Sequence, residues 1–311
     1  MRVVFMGTPD FSVGTLKALA EAGYDIAAVV TQPDKPRGRG KAMQPTPVKE
    51  AALSLGLPVL QPEKVREESF LNQVESLKPD VIVVVAFGQI IPGRLLKIPP
   101  LGCINVHASL LPDYRGAAPI QWAVIDGKKE SGVTIMRMDE GLDTGDMISR
   151  TVVPLDSDET GGSLFEKLSQ AGARLLVDTL PSLENKTAVF EKQPEISPTP
   201  YASMITKKMG DIQWDKPAVQ LERLIRGLNP WPSAYTRVAR KNLKLWKAAV
   251  VSENSGKLPG QVVKISKDGI FVQTGDGILC VLELQLEGKK RMSAEAFLRG
   301  YKIEEGTILG G

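Results

Sequence analysis

The chain has 311 residues, of which 42% are hydrophobic and 24% are charged, enough for about two domains of ~150 residues each. This composition argues against a disordered, collagen-like or membrane-embedded chain. The formal charge of +3 hides an asymmetry: residues 1–206 carry 21 basic and 25 acidic side chains, net −4, and residues 207–311 carry 18 and 11, net +7. Charge alone favours a polyanionic partner and a chance excess of solvated lysines about equally.

The first half of the chain alternates short apolar strands with helices. Strands are predicted at 3–6, 26–30, 57–60, 81–86 and 102–106, and helices after residue 10 and at 48–55, 67–77 and 117–125. The run at 81–86 has no polar–apolar alternation, as is typical of a central parallel strand covered on both faces. The repeated strand–helix units predict an α/β fold, a doubly wound, mostly parallel and Rossmann-like sheet.

The second half changes character at a proline-rich segment. Before it, two strands at 133–136 and 147–153 enclose an acidic loop, and a long helix covers 163–183. After a helix at 218–228, short β-rich segments follow at 234–237, 244–251, 260–265, 269–274 and 277–284. Such short strands predict a small OB-like β-barrel. The predicted domains are therefore 1–189, a linker at 190–206, and a basic domain at 207–311.

Cysteine usage and the N-terminus favour a cytoplasmic protein. Cys103 and Cys280 lie far apart in apolar segments, which suits neither a disulfide framework nor a metal cluster. The first residues enter a strand directly, without the apolar core of a signal peptide. The longest apolar run, 81–87, is too short to span a bilayer.

His107, the only histidine of the sequence, follows an apolar strand at the edge where open α/β sheets bind their ligands. Strand alternation places Asn105 on the same side. An amide N–H can stabilise an oxyanion, and an imidazole can carry positive charge or move a proton, so the pair suits acyl transfer. A structural histidine bound by backbone groups explains the position alone equally well.

Two other binding functions are disfavoured. No G-x-G-x-x-G follows the first strand, and the second strand ends in Thr31-Gln32-Pro33 rather than in a ribose-binding acid, which argues against NAD. The loop 139–146 holds four carboxylates, but their spacing is not that of an EF-hand calcium site.

Three motifs follow one another in the middle of the chain: NVHASLLP at 105–112, YRGAAPI at 114–120 and DEGLDTGD at 139–146. With MGTPDF at 6–11, TQPD at 31–34, NPWP at 229–232 and TGDG at 274–277, they resemble the 10-formyltetrahydrofolate-dependent formyltransferases over nearly the whole chain. Ala108 departs from the pattern, because the family more usually has glycine there. The added methyl group is expected to alter packing rather than chemistry.

The resemblance implies specific roles for the residues of these motifs. The catalytic residues would be Asn105, His107 and Asp143, with no metal ion. The formyl donor, 10-formyltetrahydrofolate, would be bound by Ser109, Leu110, Leu111, Pro112, Phe87, Gly88, Gln89, Ile91 and Asp139. The acceptor would be the free amino group of the methionyl residue on an initiator tRNA, which places the reaction in translation initiation. We expect a monomer whose partners are this tRNA and the folate.

A basic segment, KPRGRGK at 35–41, alternates its four cations with proline and glycine; they are Lys35, Arg37, Arg39 and Lys41. We interpret it as a flexible basic loop, neither helix nor strand, suited to a phosphate backbone. A solvated surface loop is the better interpretation of such a segment in isolation. The family resemblance and the basic C-terminal region instead favour contact with the acceptor end of a tRNA, extended by Lys207 and Lys208.

Two alternatives remain open at this point. A formyltransferase for a small amine, such as glycinamide ribonucleotide or an amino sugar, would have no need of the basic segment. A non-catalytic tRNA-binding protein would have no need of Asn105, His107 and Asp143. Steep salt dependence of the acceptor's apparent affinity would distinguish a tRNA from a small amine.

Overall fold

The computed structural model describes residues 1–37 and 42–310. They form two compact units, neither of them continuous in sequence. The first comprises Met1–Pro119, Glu130–Pro154 and Phe165–Ala202, and the second comprises Ile120–Lys129, Leu155–Leu164 and Ser203–Gly311. Most of the segment interpreted as a linker therefore belongs to the first unit, and two segments of the predicted first domain belong to the second.

The strands of the first unit in the described residues are β1 (Arg2–Gly7), β2 (Asp25–Val30), β3 (Lys35–Arg37), β4 (Ala42–Gln44), β5 (Val59–Leu60), β6 (Val81–Val85), β7 (Cys103–His107), β8 (Glu130–Arg137) and β9 (Met147–Pro154). A seven-stranded sheet within that range has the order β5-β2-β1-β6-β7-β8-β9. Its first five strands are parallel, and β8 and β9 add an antiparallel hairpin. The predicted doubly wound, mostly parallel sheet is confirmed.

Helices follow most of the strands. They are α1 (Asp10–Glu21), α2 (Pro47–Ser54), α3 (Glu68–Ser76), α4 (Gly93–Leu96), α5 (Pro119–Ile125) and α6 (Gly161–Glu184). Thr46 caps α2 by accepting a hydrogen bond from the Lys49 amide at 3.1 Å, which satisfies one of the free N–H groups at a helix start. The single turn α4 was not predicted, because four residues carry too little periodicity.

The core of the first unit packs the central strands against helices. All five residues of β6 are buried, as expected from its continuous apolar run. One core cluster joins Met6 and Val84 of the sheet to Phe70 of α3 and Leu95 of α4. This packing fixes the carboxyl ends of β1, β6 and β7 at one edge of the sheet, where the loops that follow them meet.

The basic segment contains regular structure that was not predicted. Lys35–Arg37 forms β3, which pairs in antiparallel fashion with β4 and places Pro36 opposite Met43. The expectation of neither helix nor strand is therefore wrong for these three residues. Proline is tolerated in an edge strand where its nitrogen faces solvent, because no ladder bond is then lost, and both strands of a two-stranded ribbon are edges. Asp34, at the base of the ribbon, is held by Lys49 Nζ at 2.7 Å.

The second unit is mainly an antiparallel sheet. Its described strands are β10 (Ala234–Val238), β11 (Lys241–Val251), β12 (Val262–Ser266), β13 (Gly269–Gln273), β14 (Ile278–Leu286) and β15 (Met292–Ser293). Besides most of α5 and the start of α6, its described helices are α7 (Ala218–Gly227), α8 (Ala294–Gly300) and a 3-10 turn at Lys207–Gly210. The five predicted strands correspond to β10–β14. Helix α8 was not predicted.

The predicted closure of this sheet is supported by the C-terminal residues. The order is β10-β11-β14-β13-β12, with β15 beside β14. The Val262 amide of β12 donates to Thr307 at 2.8 Å, and the Gly310 amide donates to Arg237 of β10 at 2.9 Å. Both outer strands are thereby bonded to one segment, which protects sheet edges that would otherwise be open. Across the described residues, no helix combines the length and the apolar character needed to cross a membrane.

Candidate active site

Asn105 and His107 lie at the carboxyl end of β7, and strand alternation directs both side chains to one face. His107 is buried, with 6% of its surface exposed, and Asn105 is half-buried. The Asn105 amide has no hydrogen-bond partner among the residues that the structure describes. An amide held partly out of water, with its donors free, is suited to bind a ligand oxygen.

The two ring nitrogens of His107 have different surroundings. Nε2 lies 3.0 Å from the carbonyl oxygen of Tyr114, and Nδ1 lies 3.8 Å from Oδ1 of Asp143. A carbonyl oxygen only accepts hydrogen bonds, so we assign a hydrogen to Nε2 in either charge state. Nδ1, which faces the carboxylate, is then the nitrogen that gains or loses the proton.

Asp143 reaches this position from the acidic loop between β8 and β9. Its Oδ2 accepts a hydrogen bond from the backbone amide of Gly116 at 2.9 Å, which leaves Oδ1 on the side of the imidazole. The 3.8 Å separation exceeds a hydrogen bond, and catalytic contacts of this kind often tighten only when substrate binds. The structure thus brings together the three side chains that the resemblance implied.

The backbone around this site adopts conformations that are costly for ordinary residues. Tyr114 has φ = 55° and Asp143 has φ = 56°, both in the left-handed region, and Gly116 has φ = 125°. A Cβ atom on Gly116 would lie 2.7 Å from the carbonyl oxygen of Ala202. Left-handed non-glycine residues persist where surrounding contacts determine them, and they concentrate at functional sites.

The loop 109–112 is held by buried and partly buried hydrogen bonds. Ser109 Oγ donates to the Asp113 carbonyl at 2.6 Å. Thr134 Oγ1, on β8, accepts from the Leu111 amide at 3.0 Å and donates to the Ser109 carbonyl at 2.7 Å. Leu111 packs into a small core cluster, whereas Leu110 and Pro112 are half-buried. These last two keep apolar surface that a ligand could contact.

The segment 87–91 divides between core and surface. Phe87 and Ile91 are buried in the core cluster of the first unit. The side-chain Oε1 of Gln89 accepts a hydrogen bond from the backbone amide of Val65 at 3.0 Å, and its Nε2 donates to the Glu63 carbonyl at 3.1 Å. Gly88 is exposed, and so is Ile90, whose surface is 78% exposed. Ile90, which the sequence analysis did not select, is the apolar side chain here that is available to a ligand.

Asp139 shapes the acidic loop. Its Oδ1 accepts from the Gly141 amide at 3.0 Å and from Thr144 Oγ1 at 2.8 Å, an Asx-type turn. Both bonds lie within the loop that carries Asp143. The predicted folate contact of Asp139 stays a prediction, as do those of the segments 87–91 and 109–112.

Three hydrogen-bonding groups of this site were not predicted from the sequence. They are the Tyr114 carbonyl, the Gly116 amide and the Thr134 hydroxyl, which act on His107, Asp143 and the loop 109–112. Two are backbone groups, for which side-chain chemistry gives no signal. Thr134 resembles any other β-forming residue of its strand, so only the register His107↔Thr134 reveals its place.

The predicted tRNA contacts are distributed over both units. Lys35 is exposed at the start of β3 and the backbone of Arg37 ends that strand, whereas Arg39 and Lys41 lie outside the described residues. Because β2 and β7 are parallel strands of one sheet, Lys35, which comes soon after β2, follows the same sheet edge as His107. Lys207 and Lys208 are exposed in the 3-10 turn of the second unit.

Cys103 shares a strand with Asn105 and His107 but is no candidate nucleophile. It is buried, with 1% of its surface exposed, and burial raises the pKa of its thiol to about 12. The reactive form of cysteine is the thiolate, so Cys103 is inert near neutral pH. Among the described residues, no group of three or more His, Cys, Asp and Glu side chains is arranged to hold a metal ion.

Two sequence families match the chain. One, described as formyl transferase, matches residues 1–180, and the other, described as the formyl transferase C-terminal domain, matches residues 204–302. This chain belongs to the formyl transferase family. The first match covers the residues that hold Asn105, His107 and Asp143, and the second covers most of the antiparallel β unit.

Curated relatives of this formyl transferase resemble it over their whole length. The methionyl-tRNA formyltransferase of Agathobacter rectalis is 58% identical over 308 residues, which cover 99% of each chain. That of Clostridioides difficile is 50% identical over 312 residues, covering 100% of each. That of Geobacter metallireducens is 51% identical over 310 residues, covering 100% of this chain and 99% of the relative.

Solved structures share the formyl transferase fold at much lower identity. WlaRD, a sugar 3N-formyl transferase, has a TM-score of 0.68 at 19% identity and covers 93% of this chain and 99% of its own. HypX from Aquifex aeolicus in complex with tetrahydrofolic acid has a TM-score of 0.64 at 18% identity, covering 99% of this chain and 50% of its own. These likenesses show the fold.

Proposed function

We propose that this formyl transferase moves the formyl group of 10-formyltetrahydrofolate onto the α-amino group of the methionyl residue carried by the initiator tRNA of translation. The observation that carries the proposal is the 58% identity over 99% of both chains to a relative named methionyl-tRNA formyltransferase. The matched length takes in the basic C-terminal region as well as the part of the chain that holds Asn105, His107 and Asp143. The small-amine alternative is not favoured, because the sugar formyltransferase WlaRD is only 19% identical.

In the proposed reaction, Asn105 and His107 stabilise negative charge on the formyl oxygen. The lone pair of the α-amine attacks the formyl carbon, and the C=O electrons move to oxygen. Asn105, whose amide is free of other bonds in the described residues, donates an N–H to that oxygen. A protonated His107 adds a positive charge beside it. No covalent bond to the enzyme is required, because both reactants are held together.

His107 and Asp143 also take part in proton transfer. The Nε2 hydrogen of His107 is held by the Tyr114 carbonyl at 3.0 Å, so the mobile proton is on Nδ1. Asp143 stabilises the resulting positive charge and helps to carry away the proton that the amine loses. The oxyanion then re-forms the C=O double bond, and the bond between the formyl carbon and N10 of the folate breaks. Its electron pair remains on N10, which takes up a proton to give tetrahydrofolate.

The folate, which supplies the formyl group on N10, is proposed to bind beside Asn105. Leu110 and Pro112 are half-buried and Ile90 is exposed, and such side chains suit the flat apolar ring of a pterin. The free Asn105 amide supplies the polar group that a ligand oxygen requires. Ser109, Leu111 and Asp139 would act by shaping the two loops.

The basic residues are proposed to hold the tRNA. Residues 207–311 carry a net charge of +7, and Lys207 and Lys208 lie there. On the first unit the segment from Lys35 to Lys41 supplies four further cations. Lysine and arginine neutralise phosphates and release counterions, which makes binding dependent on salt. We further propose that the protein is cytoplasmic and monomeric, and light scattering of the purified protein would test the oligomeric state.

The test is transfer of a labelled formyl group to initiator methionyl-tRNA, with uncharged tRNA as control. We expect label on the charged tRNA only, and an apparent KM for it that rises at least about tenfold between 50 and 200 mM salt. Glycinamide ribonucleotide and an amino-sugar nucleotide serve as alternative acceptors. Faster transfer to either, or an acceptor KM that is insensitive to salt, would contradict the proposal.

A further inference from the structure

We propose that Gln193 is a positioning residue for the formyl-transfer reaction, one that fixes Asp143 against His107. The inference rests on the proposed function and concerns the segment 190–206, which the sequence analysis interpreted as a linker. In the structure Gln193 is buried, with 5% of its surface exposed, and its side chain reaches the acidic loop. It touches neither reacting group directly.

The Gln193 amide bonds at both ends. Its Nε2 donates to the carbonyl oxygens of Asp143 at 3.0 Å and Gly145 at 2.7 Å, and its Oε1 accepts from Nε of Arg115 at 3.0 Å. Carbonyl oxygens only accept and a guanidinium only donates, so the orientation of this amide is determined by its partners. A buried amide with both donors and its oxygen engaged holds a fixed position.

Arg115 links this amide to the other side of the site. Its guanidinium donates to the carbonyls of Pro194 at 2.7 Å and Glu195 at 3.2 Å. The next residue, Gly116, donates its amide to the carboxylate of Asp143 at 2.9 Å. Asp143 is therefore held at two points, with Gln193 on its carbonyl and Gly116 on its carboxylate, and both points are connected through Arg115.

This closed set of bonds explains why Asp143 keeps a left-handed backbone. At φ = 56° an aspartate occupies a sparsely populated conformation, which persists only where its surroundings determine it. Loss of the Gln193 donors would free the Asp143 carbonyl and allow the residue to relax. Its Oδ1, now 3.8 Å from His107 Nδ1, would then move away from the imidazole.

The experiment compares Gln193→Leu with Glu195→Leu, the same replacement two residues away at an exposed side chain. We expect Gln193→Leu to lower kcat for formylation of methionyl-tRNA by about 10- to 100-fold, as misplacement of a catalytic group does. The KM values for tRNA and folate are expected to change less than about threefold. Glu195→Leu is expected to keep the wild-type kcat.

A double-mutant cycle separates positioning from general stability. In an Asp143→Asn background, Gln193→Leu is expected to change kcat less than about threefold, because the group that it positions has already been removed. Equal losses in both backgrounds, or a wild-type kcat for Gln193→Leu, would overturn the proposal.

A second variant tests the proposal if Gln193→Leu does not fold. Gln193→Glu keeps the bond to Arg115 and removes both N–H donors, and it is expected to stay folded with a kcat lowered to a similar extent. Unfolding of both Gln193 variants would assign Gln193 to fold stability alone and overturn the proposal. Absence of formylation by the wild-type protein would instead refute the proposed function, so the two failures are distinguishable.

Discussion

At the scale of single residues, the candidate site depends on how each polar atom is oriented. His107 is bound at Nε2 by the Tyr114 carbonyl and faces Asp143 through Nδ1. Asn105 keeps its amide free among the described residues. The choice of these three side chains came from the sequence, whereas the assignment of the mobile proton to Nδ1 required the contact with Tyr114.

The first residue-scale prediction concerns the imidazole and its carboxylate. His107→Ala and Asp143→Asn are each expected to lower kcat by about 10²- to 10⁴-fold, because each removes a group that acts on the transferred proton or on the oxyanion. Folate affinity, measured by calorimetry, should change little. Asp146→Asn, in the same loop and paired with Arg137 at 3.3 Å, is the control. Full activity of His107→Ala would show the mechanism to be wrong.

The second residue-scale prediction concerns thiol reactivity. Burial raises the pKa of Cys103 to about 12 and also raises the pKa of Cys280, so little thiolate forms at pH 8 in the folded protein. Titration with a thiol reagent at pH 8 should detect almost no reactive cysteine before denaturation and two after it. Fast reaction of one thiol in the native protein would contradict the buried positions.

At the scale of elements, neighbouring strands decide how the site is built. Thr134 on β8 lies opposite His107 on β7, and its hydroxyl binds both Ser109 and Leu111. The antiparallel hairpin of β8 and β9 therefore supports the loop that is expected to contact folate. The sequence predicted the two strands of this hairpin, but it did not show that Thr134 lies opposite His107, which makes Thr134 part of the site.

The first element-scale prediction tests this support. Thr134→Val keeps the side-chain shape but leaves the buried Leu111 amide without its acceptor, which should lower the free energy of unfolding by about 1–3 kcal/mol. It should also weaken folate binding, because the loop 109–112 loses its anchor. Urea unfolding and calorimetry measure the two effects. Thr151, on β9, is partly exposed, and Thr151→Val is expected to change neither the free energy of unfolding nor folate affinity. Equal effects of the two substitutions would disprove the role of Thr134 as the anchor of the loop.

The second element-scale prediction concerns the basic segment 35–41. Replacement of Arg37, Arg39 and Lys41 by glutamine should raise the KM for methionyl-tRNA and reduce the slope of log affinity against log salt by about 2, since three phosphate contacts are lost. Folate binding should be unchanged. A matched variant replaces Lys17, Lys78 and Lys97, which are exposed on the same unit. Equal losses for tRNA and folate would point to a folding defect.

At the scale of the whole molecule, the second unit is built partly from segments that interrupt the sequence of the first unit. The second unit includes residues 120–129 and 155–164. Within it, the Gly162 amide donates to the Asn229 carbonyl at 2.8 Å, and Trp122 Nε1 donates to Ser203 at 2.9 Å. Gly227 lies so close to Ile125 that a Cβ atom would come within 2.4 Å of its Cγ1. Local sequence signals cannot reveal such long-range packing, so each predicted domain was a single continuous stretch of the chain.

The molecular-scale prediction follows from this arrangement. A fragment of residues 1–206 would retain two segments of the second unit without the partners that cover them. We expect its Tm to lie more than about 5 °C below that of the intact chain, as measured by calorimetry. An unchanged Tm with intact folate binding would show that the first unit is independent of residues 207–311.

The sequence by itself determined the parallel sheet, the antiparallel C-terminal region, the resemblance to formyltransferases and the choice of Asn105, His107 and Asp143. These depend on local periodicity and on contiguous motifs, which a single chain displays directly. The tertiary structure decided the contacts that orient those residues, from the Tyr114 carbonyl to the buried amide of Gln193. The physical reason is that a hydrogen bond between distant residues, often through backbone atoms, has no local signature and forms only when the fold brings its partners together.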